Sequence, residues 1–150
     1  MKYVGRLLLY MVIFFLTFTV SCVVALRFVP VTVTPVKIAK LFEHSDKTLA
    51  VRSSWCPLSR ISEQMQIAVV SSEDAKFIEH NGFDFDEIRK ALDDMREGRR
   101  ERGASTISQQ TAKNVFLGNS GRWIRKAFEA YYTVLIETVW GKRRIMEVYL

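Results

Sequence analysis

Two predicted helices are joined by the stretch Ser72-Glu-Asp-Ala-Lys-Phe-Ile-Glu-His-Asn-Gly-Phe-Asp84. It follows a helix for which Ser62 is a suitable N-cap, and that helix is predicted to fray near residues 71–72. Glu73 is therefore expected close to a helix C-terminus. The stretch ends at Asp84, which is a suitable N-cap for a second helix.

Apolar spacing predicts which face of each of these two helices is buried. In the first helix the apolar face carries Met65, Ala68 and Val69. In the second helix the predicted core positions are Phe85, Ile88, Leu92 and Met95. Gly98 is a suitable stop signal, and residues 99–103 are expected to form an exposed loop.

Three more helices are predicted downstream, so the fold class is mostly α. Thr106-Ile-Ser-Gln109 fits a capping box at the start of the third helix. The fourth runs from about Trp123 to Trp140, and Gly141 separates it from a fifth that begins at Lys142. The residues predicted to lie on or near the buried face of the fourth helix are Ala127, Tyr131, Val134, Leu135 and Thr138.

Upstream of these helices lies an apolar run without any charged side chain, Leu7 to Leu26, bracketed by Arg6 and Arg27. About 20 apolar residues in a helix span the hydrocarbon of a bilayer, so an uncleaved anchor is predicted. A cleaved signal peptide and a lipoprotein signal at Cys22 are the alternatives. The expected organisation is a cytoplasmic tail (1–6), a transmembrane anchor (7–27), an extended connector (28–60) and a helical domain (61–150).

Length, net charge and cysteine content limit the classes of function that this chain could have. The chain has 150 residues and a net charge of +6, enough length for one domain at most. With an anchor present, the positive charge indicates anionic lipid or a phosphate-bearing substrate rather than nucleic acid. The two cysteines predict no disulfide, and no metal-ligand spacing is visible. The basic tail favours a cytoplasmic N-terminus, which places residues 28 onward outside the cytoplasm.

Three groups of residues carry candidate chemistry, and each also has a purely structural interpretation. Glu73, at a helix end and partly dry beside Phe77, could serve as a general base, or it could be a solvated charge. The helix start at Thr106 could offer free N–H groups to a phosphate, with Lys113 two turns along, or it could be an ordinary capped helix. Arg125, Lys126 and Glu129 can cluster on one helix side, either as a surface ion pair or beside a diphosphate.

The order of these groups resembles the successive motifs of the peptidoglycan glycosyltransferase family. The matching motifs are Glu73-Asp-x-x-Phe77-x-x-His80-x-Gly82-Phe83-Asp84, Gly103-x-Ser105-Thr106-Ile107-x-Gln109-Gln110, Arg125-Lys126-x-x-Glu129 and Lys142-Arg-x-Ile145-x-Glu147-x-Tyr149-Leu150. The resemblance covers roughly residues 55–150. The anchor, and the lack of room for a penicillin-binding domain, make the chain similar to the monofunctional biosynthetic transglycosylases.

The resemblance implies a lysozyme-like fold that transfers a glycan from a polyprenyl diphosphate to lipid II at a bacterial inner membrane. It implies that Glu73 is the general base and that Glu129 assists on the donor side. Positions expected near the donor phosphates are Lys113, Arg122, Arg125 and Lys126. Positions expected to contact substrate elsewhere in the cleft are Asp74, Phe77, His80, Ser105, Thr106, Gln109 and Gln110. No cofactor is evident, stimulation by a divalent metal stays open, and cell-wall synthesis machinery is an expected partner.

Two departures from the family pattern bear on these expectations. Gly121 stands where the family usually has an arginine, and Arg122 is one position late. The chain ends at Tyr149-Leu150, where the family motif continues, so a truncated product is expected. A lysozyme-like muramidase and an inactive membrane-anchored remnant are the alternative functions.

Overall fold

The described part of the chain contains six helices of at least nine residues and a shorter helical segment that includes residues 35–38. The structure is a computed structural model that describes residues 2–38, 54–99, 103–118 and 123–150. The helices are α1 (Lys2–Phe28), α2 (Glu63–Glu73), α3 (Phe85–Arg96), α4 (Ile107–Phe116), α5 (Trp123–Val139) and α6 (Gly141–Tyr149). A 3-10 turn at Leu58–Arg60 precedes α2, and these residue ranges contain no strand. The mostly α prediction is therefore confirmed.

The predicted helix starts are confirmed at the level of individual hydrogen bonds. Ser62 accepts a hydrogen bond from the backbone N–H of Met65, and Asp84 accepts one from that of Glu87. Thr106 and Gln109 form both halves of a capping box. Each cap satisfies a backbone N–H that has no partner within its helix.

Helix α1 is long and apolar enough to cross a bilayer over Tyr3–Phe28. Its second half packs against α5, where Val23 is fully buried and the indole N–H of Trp140 donates to the carbonyl of Val23 at 2.7 Å. Most of the side chains in its first half are exposed. The connector that follows carries no helix at residues 29–34, and residues 35–38 are helical.

The core lies where α4, α5 and α6 pack against one another. Ile107, Ile136 and Ile145 are fully buried there, one from each helix, and Phe77 from the turn after α2 joins them. Burying one such side chain contributes about 1.5–3 kcal/mol. This core fixes the end of α2 relative to α4 and α5, which is the region of the predicted site.

The predicted core faces of α2 and α3 are wrong. Met65 is 52% exposed, and on α3 Phe85, Leu92 and Met95 are 74%, 48% and 58% exposed. Ala68 is exposed too, while Val69 and Ile88 are half-buried. Apolar periodicity marks a face that could be buried, but in the described residues these two helices make few contacts with other helices.

The predicted buried face of α5 is wrong in part, since Leu135 packs against the core but three of the five predicted residues are exposed. Ala127, Val134 and Thr138 are exposed, and Tyr131 and Leu135 are half-buried. The buried side chains of α5 are Glu129, Thr133 and Ile136. A carboxylate and a hydroxyl lie in this buried stripe, and a search for apolar residues passes over both.

Candidate active site

Asp74, the residue that follows α2, ties two separate segments together. Its Oδ1 lies 2.9 Å from Nε2 of His80, and its Oδ2 accepts a hydrogen bond from the backbone N–H of Ile107 at 3.0 Å. The Asp74 side chain is 3% exposed. The carboxylate therefore fixes the turn after α2 against the N-terminus of α4.

The ring of His80 bridges Asp74 and Gly82. Its Nδ1 accepts a hydrogen bond from the backbone N–H of Gly82 at 3.1 Å, so this nitrogen carries no proton. The proton of the neutral ring is then on Nε2, which donates to Asp74. The hydrogen-bond partners thus select one tautomer of His80.

Gly82 occupies a position that a larger residue could not fill. Its φ is +91°, in the left-handed region, and a Cβ atom there would lie 2.6 Å from Cγ2 of Thr133 on α5. Its carbonyl accepts a hydrogen bond of 2.7 Å from the hydroxyl of Thr106. The turn is thereby held against both α4 and α5.

The N-terminus of α4 is occupied by protein groups. The backbone N–H groups of Thr106, Ile107 and Gln109 donate to Gln109 Oε1, Asp74 Oδ2 and Thr106 Oγ1 respectively. Thr106 is 3% exposed and Gln109 is 4% exposed. Of the two interpretations of this helix start, the ordinary capped helix is confirmed. The phosphate-binding interpretation is wrong for these N–H groups, because a carboxylate 33 residues away and the capping box already satisfy them.

Glu73 lies exposed at the end of α2 and lines an open cleft of about 360 Å³. Ser105 lines the same cleft. The amide Nε2 of Gln110 donates to Oε2 of Glu73 at 3.0 Å. The expectation that Glu73 is partly dry beside Phe77 is wrong: the helix end directs Glu73 outward, whereas the next turn buries Phe77 to 1% exposure.

On α5 the predicted cluster of Arg125, Lys126 and Glu129 is confirmed. Nη1 of Arg125 and Nζ of Lys126 lie 3.3 Å and 2.5 Å from the two oxygens of Glu129. The Glu129 side chain is 4% exposed, while those of Arg125 and Lys126 are 25% and 50% exposed. One buried carboxylate thus holds two cations, both of which keep part of their surface in water.

The other predicted phosphate contacts have different surroundings. Lys113 on α4 is half-buried and makes no ion pair with any residue in the described ranges. Arg122 lies outside the described residues, as does Gly121. Across the four described ranges, no hydrogen bond or ion pair joins Glu73 to Glu129, and no His, Cys, Asp and Glu side chains cluster so as to hold a metal ion.

An ionic group that the sequence did not predict connects α4, α5 and α6. Glu137 accepts from the hydroxyl of Ser108 and from Nζ of Lys142, the latter at 2.7 Å. Nζ of Lys142 also lies 4.5 Å from the centre of the Phe77 ring. These residues come from α4, α5 and α6, so no local spacing could have indicated the group.

A second unpredicted contact fastens α6 to the connector. Glu147 accepts from the backbone N–H of Leu58 at 3.0 Å and pairs with Arg144 at 2.5 Å. Burial alone would raise the pKa of Glu147, but these two donors hold it below its ordinary value. The guanidinium of Arg144 also donates to the carbonyls of Leu26 and Val29, next to the end of α1.

Comparison with known proteins points to one family. Residues 40–150 match the model of a family described as Transglycosylase. A protein of Bacteroides thetaiotaomicron named biosynthetic peptidoglycan transglycosylase is 49% identical over 93% of this chain and 57% of its own length. A protein of the same name from Bdellovibrio bacteriovorus is 46% identical over 93% of this chain and 56% of its own length. Another, from Pseudomonas fluorescens, is 40% identical over the whole of this chain and 63% of its own length.

The chain thus spans somewhat more than half of the length of these curated relatives. The family match covers α2 to α6 and every residue of the cleft described above. By this match and by the identity to its relatives, the chain belongs to the transglycosylase family.

Proposed function

We propose that this chain takes part in polymerising the glycan strands of peptidoglycan. In this proposal lipid II is the acceptor, and a growing glycan on a polyprenyl diphosphate is the donor. Membership of the transglycosylase family and the printed names of the relatives support the reaction class.

The contrast between Glu73 and Glu129 carries the proposal. Glu73 is exposed on a cleft, and among the described residues its carboxylate has one hydrogen-bond donor, the neutral amide of Gln110, so it can accept a proton from a substrate. Glu129 is buried between two cations and is poorly placed to do so. Glu129 instead holds Arg125 and Lys126 in position, and the exposed parts of these two side chains can bind a phosphate.

The chemistry that suits this arrangement is a single displacement. The acceptor hydroxyl gives its proton to Glu73, and its oxygen forms a bond to the anomeric carbon of the donor sugar. The bond from that carbon to the diphosphate breaks, and the diphosphate leaves with the electron pair. Arg125, Lys126 and Lys113 would stabilise the charge that develops on it. An α-linked donor then gives a β-1,4 bond without a covalent intermediate.

The anchor places the cleft beside both lipid-borne substrates in this proposal. Helix α1 would be a single span of the bacterial inner membrane, with residues 28 onward on the outer side. Cys56 provides a test, because the described residues contain two free cysteines and Cys22 lies within α1. In a Cys22→Ser variant, a membrane-impermeant maleimide added to whole spheroplasts is expected to label Cys56. Labelling only after lysis would place the domain inside.

The decisive experiment is polymerisation of purified lipid II by the intact polypeptide. Glu73→Gln is expected to abolish strand synthesis, since the amide cannot accept the proton. Glu79→Gln is the matched control, because Glu79 is exposed in the turn that follows α2 and has no role in the proposal. Persistent synthesis by Glu73→Gln would refute the assignment of the base. Release of fragments from finished sacculi, without any use of lipid II, would replace the proposed transfer with hydrolysis.

A further inference from the structure

Gln110 lies between Glu73 and Tyr149. Its Nε2 donates to Oε2 of Glu73 at 3.0 Å, and its Oε1 accepts from the hydroxyl of Tyr149 at 3.4 Å. The three side chains come from α4, α2 and α6 respectively. They form a row that runs from the exposed carboxylate to a half-buried phenol.

The orientation of the Gln110 amide decides whether its NH2 group or its oxygen faces the carboxylate of Glu73. A glutamine side chain can present either its NH2 group or its oxygen with almost the same shape. Only the NH2 group stabilises a carboxylate, whereas the oxygen would repel it. A hydroxyl that donates to Oε1 therefore favours the orientation in which the NH2 group faces Glu73.

A second neighbour of Gln110 favours the same orientation. The backbone carbonyl of Ser105, which can only accept, lies 3.5 Å from Nε2 of Gln110. This carbonyl belongs to the loop that lines the cleft together with Glu73. Tyr149 thus acts at the oxygen end of the amide, and Ser105 acts at the nitrogen end.

The surroundings of Tyr149 keep its hydroxyl protonated at neutral pH. Burial raises the pKa of Tyr149, and the negative charge of Glu73 raises it further.

We infer that Tyr149 is a positioning residue for Glu73 and acts through the side-chain amide of Gln110. The inference rests on the proposed function, in which Glu73 is the base. Tyr149 does not meet the reacting sugars in this scheme. It holds the amide so that the NH2 group of Gln110 faces the carboxylate of Glu73 and keeps this carboxylate at the cleft.

The test uses Tyr149→Phe in the intact polypeptide, because this change removes only the hydroxyl. The expected result is a fall in kcat of roughly 3- to 10-fold, the range of one lost hydrogen bond, with little change in KM for lipid II. The acid limb of the pH–rate profile should move to higher pH, since a donor that favours the ionised carboxylate is less well held. A loss that leaves the profile in place would contradict the inference.

Tyr132→Phe is the matched control. Tyr132 is half-buried like Tyr149 and stacks on Phe116 at 4.4 Å between ring centres, and its hydroxyl has no hydrogen bond within the described residues. The Tyr132→Phe variant should therefore leave both kcat and the pH–rate profile unchanged. An equal effect of the two substitutions would assign the loss at Tyr149 to general packing.

A double-mutant cycle tests the route of action. In a Gln110→Ala background, Tyr149→Phe should have no further effect on kcat, because the amide that transmits its influence is gone. Additive losses would show that Tyr149 acts by another route.

A measurement that needs no turnover completes the test. The side-chain amide signals of Gln110, assigned by their loss in Gln110→Ala, should titrate with acid in 15N-labelled protein as Glu73 takes up a proton. This titration should weaken or move in Tyr149→Phe and stay unchanged in Tyr132→Phe. If Glu73→Gln abolishes synthesis while Tyr149→Phe behaves like Tyr132→Phe in every measurement, only the present inference fails. If Glu73→Gln stays active, the proposed function fails with it.

Discussion

Thr19 in α1 and Tyr131 in α5 share a hydrogen bond of 2.7 Å across 112 residues of sequence. The hydroxyl of Thr19 also lies 2.9 Å from the carbonyl of Phe15 within its own helix. Because the Thr19 proton can be given to that carbonyl, the Tyr131 hydroxyl is the natural donor to Thr19. The apolar helix is therefore attached to α5, the helix that carries Glu129, through a specific polar contact.

Thr19→Val should weaken this attachment. It leaves the Tyr131 hydroxyl without its partner, at an expected cost of about 1–2 kcal/mol in the free energy of unfolding. Thermal unfolding in detergent micelles, followed by circular dichroism, measures it. Thr17→Val is the control, because among the described residues the Thr17 hydroxyl bonds only to the carbonyl of Ile13, and Thr17 is exposed. Equal shifts for the two variants would mean that the contact with Tyr131 adds nothing.

Gly82→Ala should be strongly destabilising. Its Cβ would lie 2.6 Å from Thr133 Cγ2 at a φ of +91°. Overpacking and left-handed backbone together are expected to cost roughly 2–4 kcal/mol. Gly98→Ala separates the two effects, because its φ is +67° but, apart from its chain neighbours, no atom of the described residues lies within 4 Å of the added Cβ. It should lose only about 1 kcal/mol in denaturant unfolding, and a similar loss at both positions would refute the packing explanation.

Lys142→Met should destabilise the protein by leaving Glu137 buried without its cation. The Lys142 and Glu137 side chains are 22% and 9% exposed, so a cost of about 1–3 kcal/mol is expected after allowing for solvent screening. Adding Glu137→Gln to Lys142→Met should recover part of the loss, since it removes the unpaired charge. Denaturant unfolding of both variants measures these free energies. An additive loss in the double variant would contradict the explanation by an unpaired charge.

Stability should depend on Glu147 in the acid range. Because the pKa of Glu147 is lower in the folded chain than its ordinary value of 4.5, its contribution is complete above that value. The contribution is then lost as the pH falls through the lower pKa of the folded chain. The stability difference between the wild type and Glu147→Gln should therefore shrink on acidification. Unfolding midpoints measured from pH 6 downward check this, and a difference between the two proteins that stays constant with pH would contradict it.

Much of the local structure was predictable from the sequence. The capping box at Thr106 and the ion pairs of Glu129 involve residues three or four apart, and that separation alone brings their side chains together on one helix. The position of Glu73 at a helix end followed from the pattern around it in the same way. Predictions of burial were less successful, because a helix face is buried only where another element covers it.

What the sequence by itself determined is therefore the set of helices, their caps and the family motifs. Tertiary structure alone decided which groups meet across helices: Asp74 occupies the N-terminus of α4, and Gln110 holds Glu73 at the cleft. The physical reason is sequence distance, since partners 33 and 37 residues apart are brought together only by the packing of the core. Packing thereby decided between alternatives that the sequence left open: the start of α4 is a closed helix cap rather than a phosphate site, and Glu73 is open to water rather than partly dry.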